Sequence, residues 1–309
     1  MVIVINRSKK VQVEIKFNKF KSRFEGFVDG KMVSRSKHRS YVERHINNLG
    51  LVAAPAVEQQ PKVDEFGINK RFDFVEQMVK MVASKTIASA IITGQGGLGK
   101  THTVIKSLVQ NGYSNVTDLA SFEIGTRIVS PKSFRVIKGF STAKGLYRTL
   151  FEGNGMVLVF DDCDSVLKDP VALNLLKGAL DSYGDRYINW NADIRDEDLP
   201  RSFKFTGTIV FISNMDMDRI DQAVRSRAMC VDLSMTLEQK LERMQVILHD
   251  KEFLPDYEYV HKSLAFDFLK EIKDKIQNLS LRSLIAAVKI CAQGGDWKSL
   301  AKYVLTQGA

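Results

Sequence analysis

The run Gly94-Gln95-Gly96-Gly97-Leu98-Gly99-Lys100-Thr101 fits G-x-x-x-x-G-K-[ST], a spacing that wraps backbone N–H groups around phosphate oxygens. Its glycines let the backbone curl close to an anion with no Cβ in the way. Lys100 is placed to reach β- and γ-phosphates, and the Thr101 hydroxyl to ligate Mg²⁺. The flanks agree. Residues 88–93 form a short apolar run suited to a buried parallel strand. Residues 101–110 carry Val104, Ile105, Leu108 and Val109 at helical spacing, with Asn111-Gly112 as a stop. Strand, glycine loop and helix therefore follow in the order that points a helix N-terminus at an anion. The expected cofactors are ATP and Mg²⁺.

A second chemical run, Met156-Val157-Leu158-Val159-Phe160-Asp161-Asp162, is an apolar strand ending in two carboxylates about 60 residues further on. Asp161 is assigned to the metal through water, and Asp162 to polarising the attacking water as a general base. Asp164 is next in line for that second role. Residues 207–214 read as a further buried strand ending in Ser213-Asn214. Residues 220–227 read as a helix carrying Arg225 and Arg227, followed by a strand over 229–233. After residue 235 the strands stop, and 237–248, 264–276, 281–291 and 297–305 read as four helices of a small bundle.

This order of motifs resembles the AAA+ family of ATPases over about residues 63–309. The resemblance implies an α/β fold, a parallel-sheet P-loop domain (63–234) with a C-terminal helical lid (235–309). It makes Asn214 the first sensor, orienting the attacking water. Arg227, with Arg225 as its rival, becomes the arginine finger that reaches a neighbouring subunit's γ-phosphate. Arg282, at the start of a bundle helix, becomes the second sensor, and Phe140 stands where relatives carry a pore loop. One departure matters. The family usually has Glu after the metal-binding Asp, and here Asp162 is one methylene shorter, which places hydrolysis at risk of being slow.

The elements ahead of this core read differently. Residues 1–50 hold twelve Lys and Arg against four Asp and Glu, so eight of the chain's net +9 charges sit in its first fifty residues. Such asymmetry points to a polyanion partner. Residues 11–17 alternate as a half-buried strand, 24–33 read as a hairpin turning at Asp29-Gly30, and 36–49 as a helix burying Tyr41, Val42, His45, Ile46 and Leu49. The result is a small basic β-β-β-α module, loosely similar to the DNA-binding modules appended to integrases. Residues 51–62 read as a linker. The stretch 183–204 is long for a strand connection and suggests a hairpin or second pore loop, with Trp190, Arg186, Arg195 and Arg201 available to a single strand of nucleic acid.

Composition narrows the rest. Hydrophobic content of 44% and charged content of 26% describe a soluble globular chain, with no apolar run near the ~18 residues of a membrane span. Three scattered cysteines argue against a disulfide scaffold and for the reducing cytoplasm, and no Cys/His cluster suggests zinc. The expectation is a homo-oligomeric, Mg-dependent ATPase acting on DNA through residues 1–50. A protein remodeller with a polypeptide client, and a slowly hydrolysing nucleotide-controlled scaffold, stand as alternatives.

Overall fold

A computed structural model describes residues 13–18, 21–48, 65–118, 132–139, 141–181, 184–191 and 199–307. The chain divides into two compact units, Met1–Val63 and Asp64–Ala309. The expected linker, Phe140, Arg195 and Leu49 lie outside the described residues.

The first unit is an antiparallel sheet of β1 (Val13–Asn18), β2 (Arg23–Val28) and β3 (Lys31–Ser36), followed by α1 (Arg39–Asn48). Asp29-Gly30 makes the β2–β3 turn with both residues at positive φ, as a tight hairpin requires. Val42 and Ile46 of α1 pack on Ile15, Phe24, Val28 and Val33. Gly26 is obligatory there, because a Cβ would stand 2.6 Å from Val42 Cγ1. Tyr41 and His45, expected in the buried face of the helix, are exposed instead. One turn of a ten-residue helix covers a three-stranded sheet with residues i and i+4 alone, so their neighbours turn outward.

The second unit is built on a six-stranded sheet of order β11-β4-β10-β7-β6-β5, with every neighbouring pair parallel. Its strands are β4 (Ser89–Thr93), β5 (Ser114–Asn115), β6 (Ser133–Lys138), β7 (Val157–Asp161), β10 (Thr208–Ile212) and β11 (Met229–Asp232). β4, β7 and β10 are buried at all five positions, as strands covered on both faces must be. One face packs on α2 (Ile68–Ala83) and α3 (Lys100–Gln110), the other on α4 (Ala143–Glu152) and α5 (Pro170–Ala179). Helix starts follow their caps. Thr142 accepts from the Gly145 N–H, and Asp169 accepts from Val171 and Ala172 ahead of a proline at the first turn.

Beyond the sheet, α7 (Leu237–Leu248), α8 (Tyr259–Ile272), α9 (Leu281–Ala292) and α10 (Trp297–Gln307) share their own core around Leu269, Leu284 and Ala301. The α/β class, the parallel P-loop sheet, the C-terminal helices and the front β-β-β-α module are all as expected. Two elements differ in extent. The helix expected over 220–227 is only α6 (Gln222–Arg225), because the Asp221 side chain caps it at Ala223. The helix expected from 264 begins at Tyr259, since Tyr259 and Val260 face solvent and leave no apolar period to read.

The long stretch before β10 contains an antiparallel hairpin, β8 (Tyr187–Asn189) with β9 (Ser202–Lys204). Of the side chains expected to meet a nucleic-acid strand, Arg201 is exposed, Arg195 lies outside the described residues, and Arg186 and Trp190 also have contacts within the fold. Arg186 donates to the Ala179 and Gly207 carbonyls and lies over the Phe205 ring, while Trp190 packs on Tyr147. Arg186 fastens the hairpin to α5 and to the start of β10, and Trp190 lies against α4.

Candidate functional site: the phosphate loop and its carboxylates

Sheet register brings the chemistry to one level. Ile212 of β10 is paired with Ile92 of β4 on one side and with Asp161 of β7 on the other. The next residues of all three strands therefore emerge together: Thr93-Gly94, Ser213-Asn214 and Asp162. This is the carboxyl end of a parallel sheet, where open α/β folds place their ligands.

The loop leaving β4 is held open by backbone geometry. Gly94 has φ 132°, and a Cβ on it would stand 2.8 Å from the Leu233 carbonyl carbon. Gly97 has φ 73°, and its Cβ would meet Ser280 Cβ at 3.2 Å. Neither position admits another residue without moving backbone or an adjoining element. Gly99, in the left-handed region, is the N-cap of α3 and uses no side-chain cap, so the helix's first N–H groups face the loop. Gln95, Gly96 and Leu98 complete the turn, with Leu98 buried in the core beneath it.

Lys100 is 5% exposed, and its ammonium donates to Gly94 O at 2.6 Å, Gln95 O at 2.7 Å and Asn214 Oδ1 at 2.9 Å. All three of its protons are thus engaged. Burial pushes Lys100 below its ordinary pKa, and the nearby carboxylates of Asp162, Asp161 and Asp164 oppose that shift. Asn214 passes the connection on, its amide Nδ2 donating to Asp162 Oδ1 at 2.7 Å. Asp162 itself sits at φ 55°, where the chain turns sharply off β7, and its N–H is held by the Ile212 carbonyl at 3.1 Å. Lys100, Asn214 and Asp162 form one hydrogen-bonded row across the mouth of the loop.

Thr101 Oγ1 donates to Asp161 Oδ1 at 2.9 Å, and Asp161 is 5% exposed. A hydroxyl and a carboxylate meeting at one point are hard oxygen donors, the set Mg²⁺ takes when phosphates supply the rest. Among the described residues no group of three or more His, Cys, Asp or Glu could hold a metal by itself, so the protein offers these two oxygens and no cage. The residues present fit Mg²⁺ carried with a nucleotide. Asp164 is spoken for by Ser213, whose Oγ donates to it at 2.6 Å.

The C-terminal helices close over this loop. The Leu281 N–H donates to the Gly97 carbonyl at 2.9 Å, and Leu281 Cδ1 lies 3.4 Å from the Cβ position of Gly99. Arg282 is exposed beside the same loop, its Cγ 3.6 Å from the Cβ position of Gly97. Away from the loop, Lys106 of α3 pairs with Asp250 at 3.0 Å and Glu252 at 2.7 Å.

Arg227 and Arg225 are not brought to this loop. The Arg227 carbonyl accepts from Ser89 Oγ at the first residue of β4, whereas Gly94 follows its last. A five-residue strand, roughly 16 Å, separates those ends. Arg227 Nη1 donates to Ala223 O at 2.8 Å, and Arg225 Nη1 pairs with Asp218 at 3.5 Å. Neither guanidinium serves the phosphate loop of its own chain in this arrangement.

Sequence reasoning missed three participants. Lys138 ends β6 one strand from Asp161 and pairs with its Oδ2 at 3.4 Å. Ser213 fixes Asp164, and Ser280 seats α9 against Gly97. Lys138 was findable, since it closes an apolar strand at the same level as Asp161; Ser280 signals only the start of α9, as its N-cap, and Ser213 carries no local signal of its role.

No protein-family model matches the chain. Among solved structures it is similar to the AAA domain of FIGL-1 in complex with ADP, at 14% identity and a TM-score of 0.41, over 79% of this chain and 83% of that one. That overlap is too low to bear on function. Among curated proteins it is 32% identical over 256 residues to an uncharacterized 36.7 kDa protein in the nrdC-mobD intergenic region of Enterobacteria phage T4. The match covers 76% of this chain and 73% of that protein. With 32% identity across about three quarters of each length, the chain belongs to the same family as that phage T4 protein.

Proposed function

We propose that this protein is a Mg-dependent AAA+ ATPase that works as an oligomer on DNA. One observation carries the reading: Lys100, Asn214 and Asp162 are joined in a row while Thr101 and Asp161 meet beside it, all at the mouth of one glycine loop. Backbone N–H groups of the loop and α3 bind the phosphates, and Lys100 exchanges some of its present acceptors for phosphate oxygens. Bound Mg²⁺ supplies charge neutralisation at the phosphates, and Thr101 and Asp161 are the residues that hold it. Asp162 takes a proton from the attacking water, and Asn214 fixes where that carboxylate points. Arg282 approaches the loop from the helical lid. Arg227, remote from its own loop, acts on the phosphate held by the next copy, which is why the active form is an oligomer.

The basic first unit supports nucleic acid as the client, through charge alone. The Asp162 carboxylate, short and already bonded to Asn214, favours a second reading in which turnover is slow and bound ATP controls an assembly. ATPase rate measured with duplex DNA, single-stranded DNA, RNA or unfolded protein separates these. Stimulation by DNA supports the proposal, stimulation by unfolded protein replaces it with a protein remodeller, and nucleotide binding without turnover leaves the scaffold.

A further inference from the structure

Pairing of charges in the first unit is uneven. Among its described residues there are four carboxylates, and three are spent on cations of β1, β2 and α1. Glu14 holds Lys16 at 2.9 Å, Glu25 holds Arg23 at 2.8 Å, and Glu43 holds Arg39 at 2.7 Å. The fourth, Asp29, sits in the β2–β3 turn. Glu25 also accepts from Asn18, and Arg23 and Asn18 hold its carboxyl below its ordinary pKa, so its capacity is used although Arg35 lies opposite it on β3. Lys21, Lys31, Arg35 and Lys37 are exposed and make no ion pair among the described residues. Lys21 lies between β1 and β2; the other three belong to β3 or the residue following it, and β3 is an edge strand of the described sheet.

From this distribution we infer that β3 is the phosphate-contacting edge of the first unit, and that its ligand is the backbone of duplex DNA. This deepens, and rests on, the DNA reading above. Residues 31–37 span at most about 20 Å at ~3.3 Å per residue, and the bulge opposite Gly26-Phe27 leaves Lys31, paired with Val28, on the opposite face of the sheet from Arg35, paired with Glu25. A duplex presents one negative charge per ~1.7 Å of axis, so an edge carrying cations on both of its faces meets several phosphates whatever the sequence. Binding of a single strand rests on aromatic rings between the cations. None stands on β3, whose side chains between Lys31 and Lys37 are Met32, Val33, Ser34, Arg35 and Ser36. Among the described residues of the unit, the exposed large aromatic rings, Phe17 and Tyr41, belong to β1 and α1.

Edge-strand lysines also serve to block pairing with another sheet, and the test must separate the two roles. Anisotropy of a fluorescein-labelled 20-bp duplex is titrated with the full chain, without nucleotide, from 50 to 300 mM KCl. The variants are the triple change Lys31→Gln, Arg35→Gln, Lys37→Gln, and an equal charge loss elsewhere, Lys80→Gln, Lys168→Gln, Lys289→Gln. The expected result is a fall of about 2.7 in the slope of log K against log salt for the first variant, from three contacts at ~0.9 each, and little change for the second. Each doubling of salt then weakens the wild type about sixfold more than the β3 variant. Circular dichroism establishes that both variants fold, and single changes, each lowering the slope by about 0.9, give the same answer if the triple variant does not fold.

An unchanged slope in a folded β3 variant that still binds duplex overturns the assignment to β3 and leaves the DNA reading standing. Self-association of that variant at unchanged slope assigns the cations to edge protection instead, and also overturns it. No salt-dependent duplex binding by the wild type, or tighter binding of poly-glutamate than of DNA, overturns both.

Discussion

Asn214 Oδ1 accepts a hydrogen bond from Lys100 Nζ across 2.9 Å, although 114 residues of chain separate them. The same amide donates to Asp162, so the cation of the phosphate loop and the carboxylate of the neighbouring strand are read by a single side chain. Whatever occupies the loop and competes for Lys100 alters the constraint on Asp162 through Asn214.

Replacing Lys100 by Ala removes the buried ammonium and leaves the Gly94 and Gln95 carbonyls without their donor. Hydrogen bonds to a charged group contribute about 1.5–3 kcal/mol each, so losing even one to phosphate weakens ATP by roughly ten- to a hundredfold. Calorimetric titration of Lys100→Ala with ATP checks this, and wild-type affinity would remove the phosphate loop from the site.

Asp162→Asn keeps shape and loses the base. Turnover should fall by about 10²–10⁴, the usual contribution of a positioned general base, with ATP still bound. Measuring retained nucleotide alongside phosphate release distinguishes a lost base from a lost site. Unchanged release would move the base elsewhere, and Asp164, tied to Ser213, would need that bond broken first.

For Arg227→Ala, nucleotide binding should persist while turnover drops by about 10³ or more, the range attributed to an arginine finger. Mixing this variant with Lys100→Ala pairs intact loops with intact arginines only at some interfaces, so part of the activity returns and never all. If Arg225→Ala reproduces the turnover loss and Arg227→Ala does not, the roles are exchanged.

The link between α3 and the helical region is titratable at both ends. Asp250 lies below its ordinary value of 3.8, first through the Glu252 N–H and then through Lys106, so its contribution exists above that value and disappears as pH falls through the lowered one. Lys106 lies above its ordinary 10.5 through Glu252 and Asp250, so its contribution exists below 10.5 and disappears as pH rises through the raised one. Lys106→Met should lower Tm by about 1–3 °C at pH 7, as an exposed pair of up to ~1 kcal/mol implies. That difference should fade as pH falls through the lowered Asp250 value, once its carboxylate protonates.

The parts of the site readable in advance were those with local causes. Glycines at 94, 97 and 99, a lysine-threonine pair and two carboxylates closing an apolar strand announce themselves by spacing. The left-handed turn at Asp162 was not readable, because aspartate gives no warning of φ 55° and the Ile212 carbonyl that anchors its N–H belongs to another strand. Arg186 misled for a related reason. An arginine in a polar stretch looks solvated, and only the assembled fold supplies the two carbonyls and the ring that take it inside. Cys163, close behind the carboxylates, is another product of burial, its thiol pushed up to about 11 and therefore chemically quiet.

β11 is fastened to β4 at both ends, by the Ser89 hydroxyl on the Arg227 carbonyl at the start and by Leu233 against the bare Cα of Gly94 at the finish. The parallel ladder between them leaves no hinge. One continuous hydrogen-bonded strand thus joins the Arg227 carbonyl, at one end of the sheet, to the residue that walls the first glycine of the loop at the other.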